Sequence, residues 1–186
     1  MGAVIPAALL ACAASVAPAT LEAVVRVESN GDPIAINVNH LASAQPRANT
    51  AQEAVAITRQ FIAAGYNVDL GLMQINSRNL PTLGYTLEDA FDPCRNIAGG
   101  AAILTSFYGS AVLRFGEGQA ALQASLRAYN TGSFYRGDAY LARFDVPAIP
   151  LGTSIQKAAP ARSAAADPWS ANTAAYSRED LHVHID

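Results

Sequence analysis

The chain has 186 residues, of which 51% are hydrophobic and 15% charged, and its formal net charge is −3. This composition supplies enough apolar material for the core of one domain and carries too little charge for a disordered protein. Nucleic acid is not expected as a partner, because phosphate binding needs clustered basic side chains, whereas Lys157 is the single lysine and the arginines are scattered.

The N-terminal segment contains the first of two cysteines. The apolar run before Cys12 has no Lys or Arg and is interrupted by Pro6, so it lacks the basic region of a secretory signal and is too short to span a membrane. We therefore predict a short helix over residues 5–14. The sequence Leu-Leu-Ala-Cys at residues 9–12 also matches a lipoprotein processing site, which remains the alternative.

The two cysteines and three histidines do not suggest a metal. Cys12 and Cys94 cannot supply four zinc ligands, and the histidines fall in a loop and near the C-terminus, so neither a metal nor another cofactor is expected. Taken by themselves, these cysteines could be two buried thiols or one disulfide.

Hydrophobic periodicity predicts four main helices. Leu21, Val24, Val25 and Glu28 share one face of a helix over residues 19–28, which ends at a turn beginning with Asn30. Alternating apolar residues at 34–38 indicate a short strand. Further helices are expected at residues 50–64, 92–108 and 118–132, from a capping box at Thr50, an Asp-Pro start at residues 92–93 and glycines at helix ends.

The amino-acid composition changes after residue 145. Residues 146–178 are rich in Ala, Pro and Ser and have no sustained apolar period, which is typical of a flexible tail. We therefore expect one mainly helical globular domain at residues 1–145, with at most a few short strands, and a flexible tail at residues 146–186.

Glu28 is the most informative residue. It ends an apolar helical face, so its carboxyl should be partly withdrawn from water, which raises the pKa of a carboxyl towards the range of a general acid. On this pattern alone, a glutamate that reaches solvent from the helix end would be the more common outcome.

Three blocks in order strengthen the case for chemistry. They are Glu28-Ser29, then Gly71-Leu72-Met73-Gln74-Ile75-Asn76, and then Ala128-Tyr129-Asn130-Thr131-Gly132. Together they resemble the motifs of the lysozyme-like lytic transglycosylases, an α+β family, over roughly residues 10–145. The segments around Cys12 and Phe91-Asp92-Pro93-Cys94 resemble the branch that serves type IV secretion and conjugation machines. That resemblance implies a Cys12–Cys94 disulfide and a periplasmic location.

The resemblance also assigns site roles. It implies that Glu28 is the catalytic acid and base, that Ser29 hydrogen-bonds the substrate or Glu28, and that Tyr129 holds Glu28 through its phenol. The remaining implied substrate contacts are Gly71, which lets the backbone approach the glycan, Met73 and Gln74, which line the sugar groove, and Asn130, which orients the site or an acetamido group.

Two features depart from the family pattern. Asn30 and Gly31 follow Glu-Ser where the family commonly has Gly and an aromatic residue, so an aromatic platform is missing that Tyr66 or Tyr135 could replace. In addition, Asp69 precedes Gly71 in a stretch that resembles the part of animal-type lysozymes carrying their second carboxylate.

The function implied by the resemblance is cleavage of peptidoglycan glycan strands between N-acetylmuramic acid and N-acetylglucosamine with a 1,6-anhydro product, which would open the cell wall for a secretion or conjugation apparatus. The alternatives are a hydrolytic lysozyme that uses Glu28 and Asp69, and a glycan-binding assembly factor without catalysis.

Overall fold

A computed structural model describes residues 5–144 and shows a mainly helical domain with a small antiparallel sheet. Its helices are α1 Ala7–Leu10, α2 Pro18–Ser29, α3 Ala51–Ala63, α4 Leu80–Leu83, α5 Leu87–Phe91, α6 Pro93–Phe115, α7 Gln119–Thr131 and α8 Asp138–Leu141. Its strands are β1 Ile36–Val38, β2 Val68–Leu70 and β3 Ile75–Asn76. The expected fold class is confirmed, whereas the predicted tail at 146–186 lies outside the described residues.

Local sequence signals set the ends of the main helices. Pro18 occupies the first turn of α2, and Asn30 ends that helix in the left-handed conformation. The Thr50 hydroxyl caps α3 by accepting from the Glu53 amide, and Asp92 caps α6 by accepting from the Arg95 amide. The short helices α4, α5 and α8 were not predicted, because four or five residues are too few to show a period.

The sheet has one apolar and one polar face. Strand order is β1-β2-β3, with Ile36 opposite Leu70 and Leu70 opposite Ile75. These side chains are buried in a core shared with α3 and α6. Because successive residues of a strand point to opposite faces, the intervening row Asn37, Asp69 and Asn76 lies on the other face of the sheet.

Helix α6 connects two hydrophobic clusters. One cluster joins α6 to α1, α2, α7 and α8, and the other joins it to the sheet and α3. By length and composition α6 could cross a membrane, but most of it is buried in this fold. Tyr129 of α7 packs against both clusters, so it marks the seam between the helical body and the sheet.

The cysteine pairing implied by the resemblance is confirmed. Cys12 and Cys94 form a disulfide with their Cα atoms 5.5 Å apart, and it ties the N-terminal segment to the start of α6. The predicted helix at residues 5–14 is present as α1 followed by a 3-10 turn. Because the Cys12 sulfur is bonded to Cys94, a lipid on that thiol and this disulfide are mutually exclusive.

Candidate active site

A cavity of about 380 Å³ opens at the seam, between the end of α2, the polar face of the sheet and α7. Its lining is dominated by amide and carboxylate side chains. The lining residues are Glu28, Asn37, Asn39, Asp69, Gln74, Ile75, Asn76, Asn79, Ile103, Tyr129, Asn130 and Arg143. The cavity therefore offers many neutral hydrogen-bonding groups around two carboxyl groups and a guanidinium.

Glu28 lies on the wall of this cavity with its side chain half-buried. Burial raises its pKa from 4.5 to about 7, against the lowering effects of a hydrogen bond from Tyr140 and of the nearby Arg143 charge, while the Asp69 charge raises the pKa further. A carboxyl with a pKa near 7 is populated in both protonation states at neutral pH. It can thus donate and then accept a proton within one reaction cycle.

Tyr140 is the side chain that positions Glu28. Its hydroxyl donates a hydrogen bond to Glu28 Oε1, and its ring, which is buried, packs edge-on against Phe144 at 5.1 Å. Burial, followed by the charge of Glu28, raises the pKa of the Tyr140 phenol well above 10, so it remains a donor. The guanidinium of Arg143 stacks over Tyr140 at 5.9 Å and donates to the Val27 carbonyl.

Asp69 is held on the polar face of the sheet by its neighbours in the row. The Asn76 amide donates to Asp69 Oδ1 at 2.8 Å, and the Asn37 amide donates to Oδ2 at 3.2 Å. These two hydrogen bonds hold the Asp69 carboxyl group in place, and it lines the same cavity as Glu28. The structure thus brings together the two carboxyl groups that the sequence singled out.

Residues 71–74, which connect β2 to β3, are fixed from three sides. The Ser29 hydroxyl donates to the Leu72 carbonyl at 2.8 Å, and the Tyr129 hydroxyl donates to the Met73 carbonyl at 2.7 Å. Asn96, which is buried, accepts from the Met73 amide at 2.8 Å. These bonds hold the connection between the end of α2 and α7, and its last residue, Gln74, lines the cavity.

Asn96 anchors the connection at its start as well. Its side-chain amide donates to the carbonyls of Leu70 and Ala90 at 2.9 and 2.7 Å. A Cβ at position 71 would lie 2.4 Å from the Asn96 amide nitrogen, and φ at this glycine is +71°. Gly71 is therefore required by the approach of Asn96. The expectation that its backbone also approaches the glycan stays a prediction.

Two expectations about side-chain roles are corrected, and a third is corrected in part. Met73 is 0% exposed and belongs to the helical core, so its side chain does not line the groove. The Ser29 hydroxyl donates to the Leu72 carbonyl and accepts from the Gly31 amide, so these bonds go to the backbone rather than to Glu28, while its contact with the substrate stays a prediction. The Tyr129 phenol donates to a backbone carbonyl, and Tyr140 is the tyrosine that donates to Glu28.

Gln74 and Asn130 lie on the wall of the cavity, and their contact with a substrate stays a prediction. Both line the cavity, and the Gln74 amide nitrogen donates to the Gly71 carbonyl at 2.9 Å, which fixes the side chain while its backbone adopts a φ of 48°. Asn130 is exposed at the end of α7. Neither Tyr66 nor Tyr135 lines the cavity, so neither supplies an aromatic platform beside Glu28.

Sequence patterns indicated Tyr140 and Asn96 only weakly. Tyr140 lies 112 residues from Glu28 on a four-residue helix, which is too short to show a period. The one usable signal for Asn96 was its place beside Ile97 on the buried face of a long apolar helix, because a buried amide must find partners. Among residues 5–144 there is no group of three His, Cys, Asp or Glu side chains that could hold a metal ion.

The part of the chain that matches a known family coincides with the helical domain. The sequence model of the transglycosylase SLT domain family matches residues 7–143. The chain is 39% identical over 142 residues to protein virB1 of Agrobacterium fabrum, which covers 75% of this chain and 57% of that protein. It is 40% identical over 128 residues to type IV secretion system protein virB1 of Brucella suis, covering 68% of this chain and 53% of that protein.

A similar match joins the chain to protein virB1 of Rhizobium radiobacter, with 41% identity over 142 residues, 75% of this chain and 59% of that protein. The chain thus spans somewhat more than half the length of these curated relatives. No solved structure shows significant similarity to it.

Proposed function

Because this chain belongs to the transglycosylase SLT domain family, we propose that it cleaves peptidoglycan glycan strands by a lytic transglycosylase reaction, with Glu28 as the catalytic acid and base. The observation that carries the proposal is the position of Glu28, which is half-buried on the wall of the cavity with a pKa raised to about 7. A glutamate held in this way can release its proton to a substrate and then recover one.

The reaction begins with protonation of the glycosidic oxygen between N-acetylmuramic acid and N-acetylglucosamine. Tyr140 occupies Oε1 of Glu28, so the transferred proton resides on Oε2. As the C1–O bond breaks, the acetamido oxygen of the muramic sugar stabilises the positive charge at the anomeric carbon. The ionised Glu28 then removes the proton from the O6 hydroxyl, O6 bonds to C1, and the 1,6-anhydro sugar forms without water.

The rest of the cavity suits a neutral, polar sugar. Gln74 and Asn130 present side-chain amides near Glu28, and amides can both donate to and accept from hydroxyl and acetamido groups. Ile103 contributes an apolar surface on the α6 side. We assign Gln74 and Asn130 to substrate binding.

The setting that we propose is the periplasm, at a type IV secretion or conjugation machine. The Cys12–Cys94 disulfide is consistent with an oxidising compartment, and the Brucella relative is named as a protein of a type IV secretion system. Local cleavage of the cell wall would make room for such an assembly. The partners of this chain would be peptidoglycan strands and components of that machine.

The decisive experiment is analysis of the products released from purified peptidoglycan. Mass spectrometry should find 1,6-anhydro ends, which are one water lighter than hydrolysed ends. Glu28→Gln should reduce cleavage by about 10²–10⁴-fold while preserving the fold, since an amide cannot exchange the proton. If folded Glu28→Gln protein still cleared a peptidoglycan gel substantially, Glu28 would not be part of the mechanism. If the unaltered chain did not cleave peptidoglycan, the result would favour a glycan-binding assembly factor.

A hydrolytic lysozyme is the second candidate, because Asp69 faces the same cavity and its charge raises the pKa of Glu28. Asp69→Asn separates the two. If the chain is a lytic transglycosylase, the variant should still release anhydro products. The loss of activity with rising pH should then begin at a lower pH than in the unaltered chain, because removal of the Asp69 charge lowers the pKa of Glu28. Products carrying one added water, together with loss of activity in Asp69→Asn, would establish the lysozyme reaction instead.

A further inference from the structure

Four aromatic side chains form a continuous cluster at the C-terminal end of α6 and in the segment after α7. We call it the aromatic ridge: Phe107, Phe115, Phe134 and Tyr135. Phe134 is in edge contact with Phe107 at 6.5 Å and with Phe115 at 6.1 Å, and Tyr135 is in edge contact with Phe115 at 5.8 Å. The ridge is therefore a packed unit in which each ring fixes the next.

The ridge continues a wall of the candidate active site. Ile103 lines the cavity, and Phe107 follows it by one turn on the same face of α6. Asn130 lines the cavity on the α7 side, and Phe134 lies four residues further along the chain. Because Phe107 contacts Phe134, the α6 wall leads from the cavity to the ridge.

The outer end of the ridge is open to solvent. Tyr135 is 52% exposed, although its ring is already held by Phe115. One face of Phe134 is covered by the Arg114 guanidinium at 5.2 Å, which places a positive charge on the ridge. An immobilised, exposed tyrosine combines an apolar ring with a polar tip, and it loses little conformational freedom when a ligand covers it.

We propose that the aromatic ridge is a distal binding site for the glycan strand, with Tyr135 stacked on the apolar face of a pyranose ring several sugars from the bond that is cut. The proposal rests on the proposed function. Continuity with the cavity favours a glycan over a protein as the occupant, because a strand whose reacting sugar lies at Glu28 extends along the cavity walls. Arg114 suits the carboxylates that peptidoglycan strands carry.

Strand length supplies the test. Helix α6 rises about 1.5 Å per residue, so Phe115 lies roughly 18 Å along the axis from Ile103 and is reached only by a long strand. The full chain carrying Glu28→Gln keeps substrates intact, so binding of peptidoglycan tetrasaccharide and octasaccharide can be measured by titration calorimetry. The octasaccharide should bind more tightly. Adding Tyr135→Ala should weaken octasaccharide binding about threefold to tenfold, the range for one aromatic contact, and leave the tetrasaccharide unchanged.

Two variants control for structure. Tyr135→Phe keeps the ring and should retain the gain in affinity with length. Tyr66 is a matched control, because it is 40% exposed and its ring is in edge contact with Phe61 at 5.7 Å. Tyr66→Ala should change the affinity for neither oligosaccharide. The proposal would be overturned if the two oligosaccharides bound with equal affinity, or if Tyr135→Ala weakened both equally or neither. It would also be overturned if Tyr66→Ala weakened octasaccharide binding as much as Tyr135→Ala does.

The outcome is independent of whether the chain cleaves glycans. A gain in affinity with length that depends on Tyr135 would support the ridge even if the unaltered chain released no anhydro product. If that product forms but the octasaccharide affinity does not depend on Tyr135, the ridge proposal fails and the proposed function stands.

Discussion

Replacing Glu28 with glutamine removes the titrating group of the site and keeps the size of the side chain. Tyr140 can still donate its hydrogen bond, because the glutamine amide oxygen accepts as the carboxyl oxygen does. The free energy of unfolding of the variant therefore differs from that of the unaltered chain mainly by the cost of burying the Glu28 charge. We expect Glu28→Gln to unfold less readily than the unaltered chain at mildly alkaline pH.

The magnitude follows from the pKa of Glu28, which burial raises from 4.5 to about 7. In the unfolded chain the carboxyl ionises as pH rises through 4.5, whereas the folded protein holds its proton until about pH 7. The stability contributed by this proton is fully present below pH 4.5 and is lost as pH rises to 7. At about 1.4 kcal/mol per pKa unit, the rise from 4.5 to about 7 corresponds to a full loss of about 3.5 kcal/mol, a ceiling because the half-buried side chain retains contact with solvent.

Urea unfolding followed by far-ultraviolet circular dichroism provides the measurement. The stability advantage of Glu28→Gln should grow from near zero at the acidic end of the series to between 1 and about 3.5 kcal/mol at the alkaline end. Glu22→Gln, which alters an exposed glutamate on the same helix, controls for the change in net charge. An advantage that stays constant across the pH series would refute the argument that the folded protein raises the pKa of Glu28.

Two further predictions concern the described residues and one concerns the tail. Tyr140→Phe should lower cleavage of peptidoglycan while shifting the alkaline loss of activity to higher pH, because the lost hydrogen bond had lowered the pKa of Glu28; an unchanged pH profile would contradict this role. Reduction of the Cys12–Cys94 disulfide, which joins residues 82 apart, should lower the free energy of unfolding by on the order of 4 kcal/mol. The melting temperature should therefore fall when reductant is added, whereas that of a Cys12→Ser, Cys94→Ser control should not change. Limited proteolysis that removes residues 146–186 should leave cleavage intact, and loss of activity on trimming would indicate that the tail completes the site.

Sequence alone determined the features that depend on neighbours along the chain. The apolar face ending at Glu28, the cap at Thr50 and the Asp-Pro start of α6 are local, and each helix follows from its period and its end residues. Alternation at residues 34–38 likewise indicated β1. The spacing of the three sequence blocks, through the family resemblance, drew attention to Glu28, Gln74 and Asn130.

Tertiary structure decided what each of those residues touches. Hydrogen-bond partners that lie far apart in sequence leave no periodic signal, so Tyr140 could not be matched to Glu28, nor the Tyr129 phenol to the Met73 carbonyl. Gly71 looked the same in sequence whether its missing side chain made room for a sugar or for Asn96. Periodicity encodes which face of an element is buried, while partner choice depends on how the elements pack, and for this site that packing fixed the pKa and the position of the catalytic candidate.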